Sequence, residues 1–163
     1  MFHSYIRKYL LAGLAATPDV LDALLKDVAD DSPAWDVRPD PKRFTIREVL
    51  AHLADWEPIW QARLIRIRDE ETPELPNVDE GQIAIDHHYA AQDCRANLLS
   101  FRKERKLLLH LLESLPDSAW DRIGLRTPGV GAVSLEAMAV MVLGHDGYHA
   151  HQIIQWLDAA SEA

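Results

Sequence analysis

Residues Leu135–Asp158 read LEAMAVMVLGHDGYHAHQIIQWLD, and the spacing of side chains within this stretch decides the fold class. Leu135, Met138, Val142, His145, His149, Gln152 and Trp156 recur alternately every three and four residues, the period of one α-helical face. Ser134 stands at the N-cap position, so the spacing predicts a helix from there to about Asp158. Three consecutive positions of the inward face, His145, His149 and Gln152, are polar. Burying an imidazole or amide without a partner costs on the order of one to a few kcal/mol, so three in succession need a shared explanation. His145 and His149 lie one turn apart and about 40° apart around the axis, so both rings can converge on one metal ion.

Two ligands are too few for a stable site, and a third imidazole is found upstream. Thr45-Ile46-Arg47-Glu48 fits a capping box, which starts a helix whose apolar stripe is Val49, Leu53, Trp56, Trp60, Leu64 and Ile67. Pro58 falls on the opposite side, where water can accommodate a kink. His52 borders that stripe and can meet the HxxxH pair from across a bundle. Three neutral nitrogens favour zinc, nickel, iron or copper over magnesium or calcium, and they leave at least one coordination position open. Zinc is the first expectation for this divalent ion, with nickel, iron or manganese as alternatives. An open position points to catalysis.

The rest of the chain supplies further helices. Arg7 and Lys8 precede an apolar run, Leu10 to Ala16, that resembles a minimal signal peptide; the helical spacing of Tyr5, Tyr9, Ala12 and Ala16 favours a first bundle helix. Thr17-Pro18-Asp19 reads as a helix start, with Leu21, Leu24, Leu25 and Val28 following, and an end near Asp30. Pro33, Pro39 and Pro41 make residues 31–44 a connection pinned by Trp35. Residues 69–81 read as an exposed acidic connection. A third long helix is expected from about Ile83 to Leu115, with Cys94, Leu98, Phe101, Arg105, Leu108, Leu112 and Leu115 on one face. A further connection rich in proline and glycine leads to Ser134. Four amphipathic helices with long connections predict an all-α four-helix bundle, with residues 1–163 forming one domain.

Composition removes several functions. Asp and Glu outnumber Lys and Arg 26 to 17, with no basic stripe, so a nucleic-acid partner is not expected. The single cysteine, Cys94, has no disulfide partner within the chain and reads as a small buried hydrophobe. No run approaches the roughly 18 apolar residues of a membrane span, and a cytoplasmic location is expected.

Other polar residues are weaker candidates for catalytic or supporting roles. Asp55, one turn after His52, and Asp146, beside His145, can fix a ligand's tautomer, or stand as solvated carboxylates. Gln152 can line the open position. Arg105 can meet an anionic substrate, although pairing with an internal carboxylate is the favoured reading. His3, His87, His88, His110 and His151 fall off the proposed site. Glu-x-x-His motifs of di-iron bundles and the HExxH motif of zinc proteases are absent.

The segments FTIREVLAHLADWE (Phe44–Glu57) and LGHDGYHAHQI (Leu143–Ile153) resemble the DinB/YfiT-like metalloenzymes. TPDVLDALL, VDEGQIA and FRKER extend the likeness over nearly the whole chain. The resemblance implies a four-helix bundle whose metal histidines come from an HLxD-type motif on the second helix and an HxxxH motif on the last. By position these are His52, His145 and His149. It further implies a homodimer acting on a small molecule, either by hydrolysis or by transfer of a low-molecular-weight thiol such as bacillithiol or mycothiol. The non-catalytic alternative is a metal-stabilised bundle that serves as a binding or scaffold module.

Overall fold

The computed structural model describes residues 4–162; His3 therefore lies outside the described residues. Helix α1 (Ser4–Leu25) runs unbroken through Thr17 and Pro18, where the sequence pointed to a helix start, and it ends at Leu25 instead of near Asp30. The reason is local. Pro18 lacks the N–H that the Leu14 carbonyl would receive four residues on. That carbonyl accepts instead from the Arg105 guanidinium at 3.0 Å, and Thr17 Oγ1 donates back to Gly13 O at 3.2 Å.

Trp35, in a 3-10 turn at Pro33–Asp36, is buried, and its indole N–H donates to Ala29 O at 2.8 Å, which anchors the connection as expected. Helix α2 (Ile46–Asp69) opens on the expected capping box. Glu48 N–H donates to Thr45 Oγ1 at 3.2 Å, and Thr45 N–H donates to Glu48 Oε2 at 2.8 Å. All six residues of its apolar stripe are buried, and Pro58 faces water.

The expected third helix is two elements, α3 (Glu80–Asp86) and α4 (Cys94–Glu113). Between them His88 takes a left-handed conformation at φ 53°, Tyr89 is buried, and Asp93 caps α4 by accepting from Ala96 N–H at 2.7 Å. The heptad spacing itself begins only at Cys94. The connection after α4 also departs from expectation, because it folds into a hairpin of β1 (Ile123–Arg126) and β2 (Gly131–Ser134). The strands are antiparallel, with Ile123 opposite Ser134 and Arg126 opposite Gly131. The 69–81 segment is held to it: Leu75 is buried and donates its N–H to Leu125 O at 2.6 Å. A Cβ at Gly124 would stand 2.8 Å from Leu75 Cδ1 and 2.9 Å from Ile67 Cγ1, so glycine is what lets β1 approach α2 this closely. Helix α5 (Leu135–Ser161) starts at the expected cap, with Ala137 N–H donating to Ser134 Oγ at 3.1 Å.

Helix α1 packs against α4 and α5, and α2 packs against the same two. Helices α1 and α2 therefore sit across a diagonal, as do α4 and α5, and the chain must cross the bundle between them. That geometry is why those connections are long. The core falls into two apolar halves. One gathers Leu14, Trp60, Leu64, Leu108, Met138 and Val142; the other gathers Leu21, Trp35, Val49, Leu53, Phe101 and Ile153. On three of the long helices a buried or half-buried polar position lies in sequence between the two halves: Thr17 on α1, Arg105 on α4, and His145 to Gln152 on α5; on α2, His52 and Glu57 flank the junction between Ala54 and Trp56. No helix among the described residues is long and apolar enough to cross a membrane.

Candidate metal centre

The capping box at Thr45 sets the phase of α2, and Ser134 sets that of α5, so His52 meets His145 and His149 between the two helices. His52 Nε2 lies 2.9 Å from His145 Nε2, and one ring nitrogen of each of the three residues lies within 4.8 Å of the others. The ring centroids are 4.6–5.0 Å apart. Phe44 and Trp56 pack on His52 at centroid distances of 5.4 and 5.3 Å and leave it only 2% exposed.

Burial first, and then the neighbouring imidazoles, push the His52 pKa down to about 2 and that of His149 down to about 3. Burial and the Arg105 guanidinium lower His145 to about 4. All three rings are therefore neutral near pH 7 and keep a lone pair for a cation.

Hydrogen bonding orients His149. Gln152 Nε2 donates to Phe44 O at 2.7 Å, so Gln152 Oε1 is the acceptor that faces His149 Nδ1 at 3.2 Å. His149 Nδ1 must then carry the proton, which leaves the Nε2 lone pair available. The Trp156 indole donates to the same Phe44 carbonyl at 2.9 Å. His145 is held less firmly, since its Nδ1 is buried with no hydrogen-bond partner among the described residues. Two nitrogens sharing a tetrahedral zinc at about 2.0–2.1 Å lie about 3.3 Å apart. The His52–His145 spacing falls within a few tenths of an ångström of that value, and the all-nitrogen donor set suits a transition metal.

Arg105, 1% exposed, lies in the polar layer beside the histidines. Its five N–H donors are all used. Nε and Nη2 donate to the Glu57 carboxylate at 2.9 and 2.6 Å, Nη1 and Nη2 to that of Asp146 at 2.5 and 2.9 Å, and Nη1 also to Leu14 O. The Thr17 hydroxyl, whose single proton is shared with Gly13 O, faces Asp146 Oδ2 at 2.9 Å. The preference for an internal carboxylate partner thus matches the geometry. Burial raises the Glu57 pKa against the pull of Arg105, whereas Arg105 is held firmly charged because its bonds to both carboxylates outweigh burial. One cation between two anions leaves this cluster at a formal charge of −1.

Asp146 turns its carboxylate to Arg105 and Thr17, not to the His145 ring. Asp55 does not reach His52; its Oδ2 lies 2.6 Å from His87 Nδ1. His87, His88, His110 and His151 are exposed, away from the three-histidine group. Cys94 is buried, and burial pushes its thiol up to about 11, which keeps it protonated.

Two cavities open onto His145. One, of about 560 Å³, is walled by Trp56, Trp60, Arg63 and Arg126; the other, of about 610 Å³, by Arg43, Phe44, Tyr148, His149 and Gln152. Asp79 and Glu80, at the start of α3, line both. Sequence reasoning missed Glu57, Thr17, Arg63 and Arg126. For Glu57 a signal existed, since Leu53, Glu57, Trp60 and Leu64 form a second alternating series with one carboxylate among apolar residues. Nothing in the local sequence separates buried Arg63 from its half-buried neighbours Arg66 and Arg68.

The family model of the DinB superfamily matches residues 14–153. Among solved structures, YfiT from Bacillus subtilis is similar at 19% sequence identity and a TM-score of 0.90, over 99% of this chain and 91% of that one. That protein is described as a probable metal-dependent hydrolase with an unusual four-helix bundle topology. At this identity the likeness shows the shared fold. No curated protein matches the chain.

Proposed function

This chain belongs to the DinB superfamily, and on that premise we propose that it is a metal-dependent enzyme acting on a small molecule, with one divalent ion held by His52, His145 and His149. The observation that carries this reading is the convergence of three neutral imidazoles from facing helices, in a buried place that two cavities reach. Bound there, a divalent ion lowers the pKa of a water or thiol in its open position and so supplies a nucleophile at neutral pH.

The chain's own residues prepare that position. Gln152 fixes the His149 tautomer, Phe44 and Trp56 exclude water from His52, and the Arg105–Glu57–Asp146 cluster places a net negative charge near the cation. Zinc fits the donor set first, with nickel, iron or manganese as alternatives. Cys94 does not supply the nucleophile, because its thiol is buried and protonated. A low-molecular-weight thiol would therefore come from solution. Two cavities meeting at His145 give room for two reactants, which supports thiol S-transfer beside hydrolysis. The protein is proposed to work as a cytoplasmic homodimer.

The non-catalytic alternative, a metal-stabilised module, calls for a fourth protein ligand that closes the site. Among the described residues the group contains no fourth His, Cys, Asp or Glu, and the Gln152 amide is engaged by His149 and Phe44. This favours an open position. The test is turnover by zinc-loaded protein on panels of small esters, amides and alkyl electrophiles, with and without added thiols. Hydrolysis without thiol identifies a hydrolase, and thioether formed only with thiol identifies a transferase. Neither reaction, from protein shown to hold metal, would favour the module.

A further inference from the structure

Every arginine in the described residues forms an ion pair with Asp or Glu except Arg43, Arg63, Arg122 and Arg126. Arg122 is used structurally, donating to the carbonyls of Ile67 and Glu70 at the end of α2. Arg63 and Arg126 face one cavity, the one walled by Trp56 and Trp60 that reaches His145.

Arg63 is the unusual member. It is only 6% exposed, yet its one hydrogen bond among the described residues is from Nη2 to Pro76 O at 3.2 Å. Its guanidinium lies 5.5 and 5.2 Å from the ring centroids of Trp56 and Trp60, which hold the plane without neutralising the charge. Arg126, on β1, contributes one bond to Asn77 Oδ1 at 3.2 Å. Burial, and after it the neighbouring Arg126 guanidinium, push the Arg63 pKa down to about 10. Asp79 and Glu80 also line the cavity, but they are exposed, and among the ion pairs of the described residues neither joins Arg63 or Arg126. A buried, uncompensated arginine is costly to the fold, and a carboxylate or phosphate oxygen pair is the group its planar fork matches.

We propose that Arg63 and Arg126 form an anion subsite that receives a carboxylate or phosphate group of the substrate and thereby orients its reacting end toward His145. The assignment of a reacting end rests on the metal-centre reading; the subsite itself rests on the arginines. It makes the substrate class an anionic small molecule, and it gives the two cavities different tasks. Arg43 in the second cavity already stacks on Tyr148 and Trp156 and bonds to Gln155.

The test is calorimetric titration of metal-free and zinc-loaded protein with succinate and with inorganic phosphate, using neutral succinamide as the control. Saturable binding of either anion in both forms, weakened at least tenfold by Arg126→Gln and partly restored by Arg126→Lys, is expected. Arg68→Gln removes a charge from the exposed side of the same helix as Arg63 and should leave the affinity unchanged. Arg63→Gln should weaken binding further; its circular dichroism spectrum shows whether the fold survives, and Arg126→Gln keeps the test decisive if it does not. No saturable binding, or binding indifferent to Arg126→Gln, overturns the proposal. Zinc stoichiometry measured on the same samples separates the two readings. One zinc per chain without arginine-dependent anion binding sinks the subsite alone, whereas anion binding without zinc keeps the subsite and sinks the metal centre.

Discussion

Replacing Arg105 by Met removes the one cation from a layer that holds two buried carboxylates. Glu57 and Asp146 are 1% and 2% exposed, and Arg105 supplies two hydrogen bonds to each. Breaking a buried ion pair from one side costs about 3–5 kcal/mol, because the remaining charge stays desolvated and unmatched. The Leu14 carbonyl, left without the Pro18 N–H, also loses its donor, at about 1 kcal/mol more. Contributions within one network do not add simply, so the expected loss is about 4 kcal/mol. For a chain of this length that lowers the Tm by about 10 °C. Urea denaturation followed by circular dichroism measures it, with Arg102→Met as a surface comparison expected to cost about 0–1 kcal/mol. The pH dependence sharpens the test. Burial already raises the Glu57 pKa, and without the guanidinium that opposes it Glu57 stands further above its unfolded value, so the variant's native state gains a proton more readily than its unfolded state. The deficit relative to wild type should therefore shrink as pH falls from 7.5 to 5.5. A loss under about 1 kcal/mol, or a deficit that widens on acidification, would show that Arg105 does not neutralise the two buried carboxylates.

Three further outcomes follow from the same geometry. Gln152→Leu frees His149 Nδ1 from its acceptor and should weaken metal binding by about 10–100-fold in a competition assay with a chromophoric chelator, with helix content unchanged. In metal-free protein the three imidazoles have native pKa values far below the unfolded value of about 6.5. Their neutral burial contributes stability fully above pH 6.5 and loses it as pH falls toward the native values, by up to about 1.4 kcal/mol per pH unit for each ring; denaturation midpoints at pH 7, 6 and 5 measure this. Cys94, with its thiol raised to about 11, should resist a disulfide reagent at pH 8 in folded protein and react fully in urea, and rapid labelling without denaturant would contradict its burial.

The grouping of the three histidines was more legible in the sequence than the fold's detail, and the reason lies in range. Helical period places His145, His149 and Gln152 on one face of α5 and His52 at the border of the α2 stripe, all from spacings of three and four residues. The Thr45 capping box is equally local, with donor and acceptor three residues apart. The break between α3 and α4 depends on His88 accepting a left-handed turn and Tyr89 finding a buried place, both decided by neighbours distant in sequence. The uninterrupted path of α1 through Pro18 needs a donor for Leu14 O from a residue 91 positions away. The hairpin has strands of four residues, too short for a clear alternating pattern, and its closeness to α2 hangs on Gly124. Asp55 looked suited to orient His52 from one turn away, but the chain brings His87 to it first.

Metal stoichiometry decides whether His52, His145 and His149 hold an ion. Protein purified without chelator or immobilised nickel, and the His52→Ala, His145→Ala and His149→Ala variants, would be assayed by elemental analysis before and after dialysis against zinc. About one divalent ion per wild-type chain is expected, with a large loss in each variant and the helical circular dichroism retained. No metal in the wild type after exposure to zinc, nickel, manganese and iron, or full occupancy in the His145 variant, would contradict this expectation.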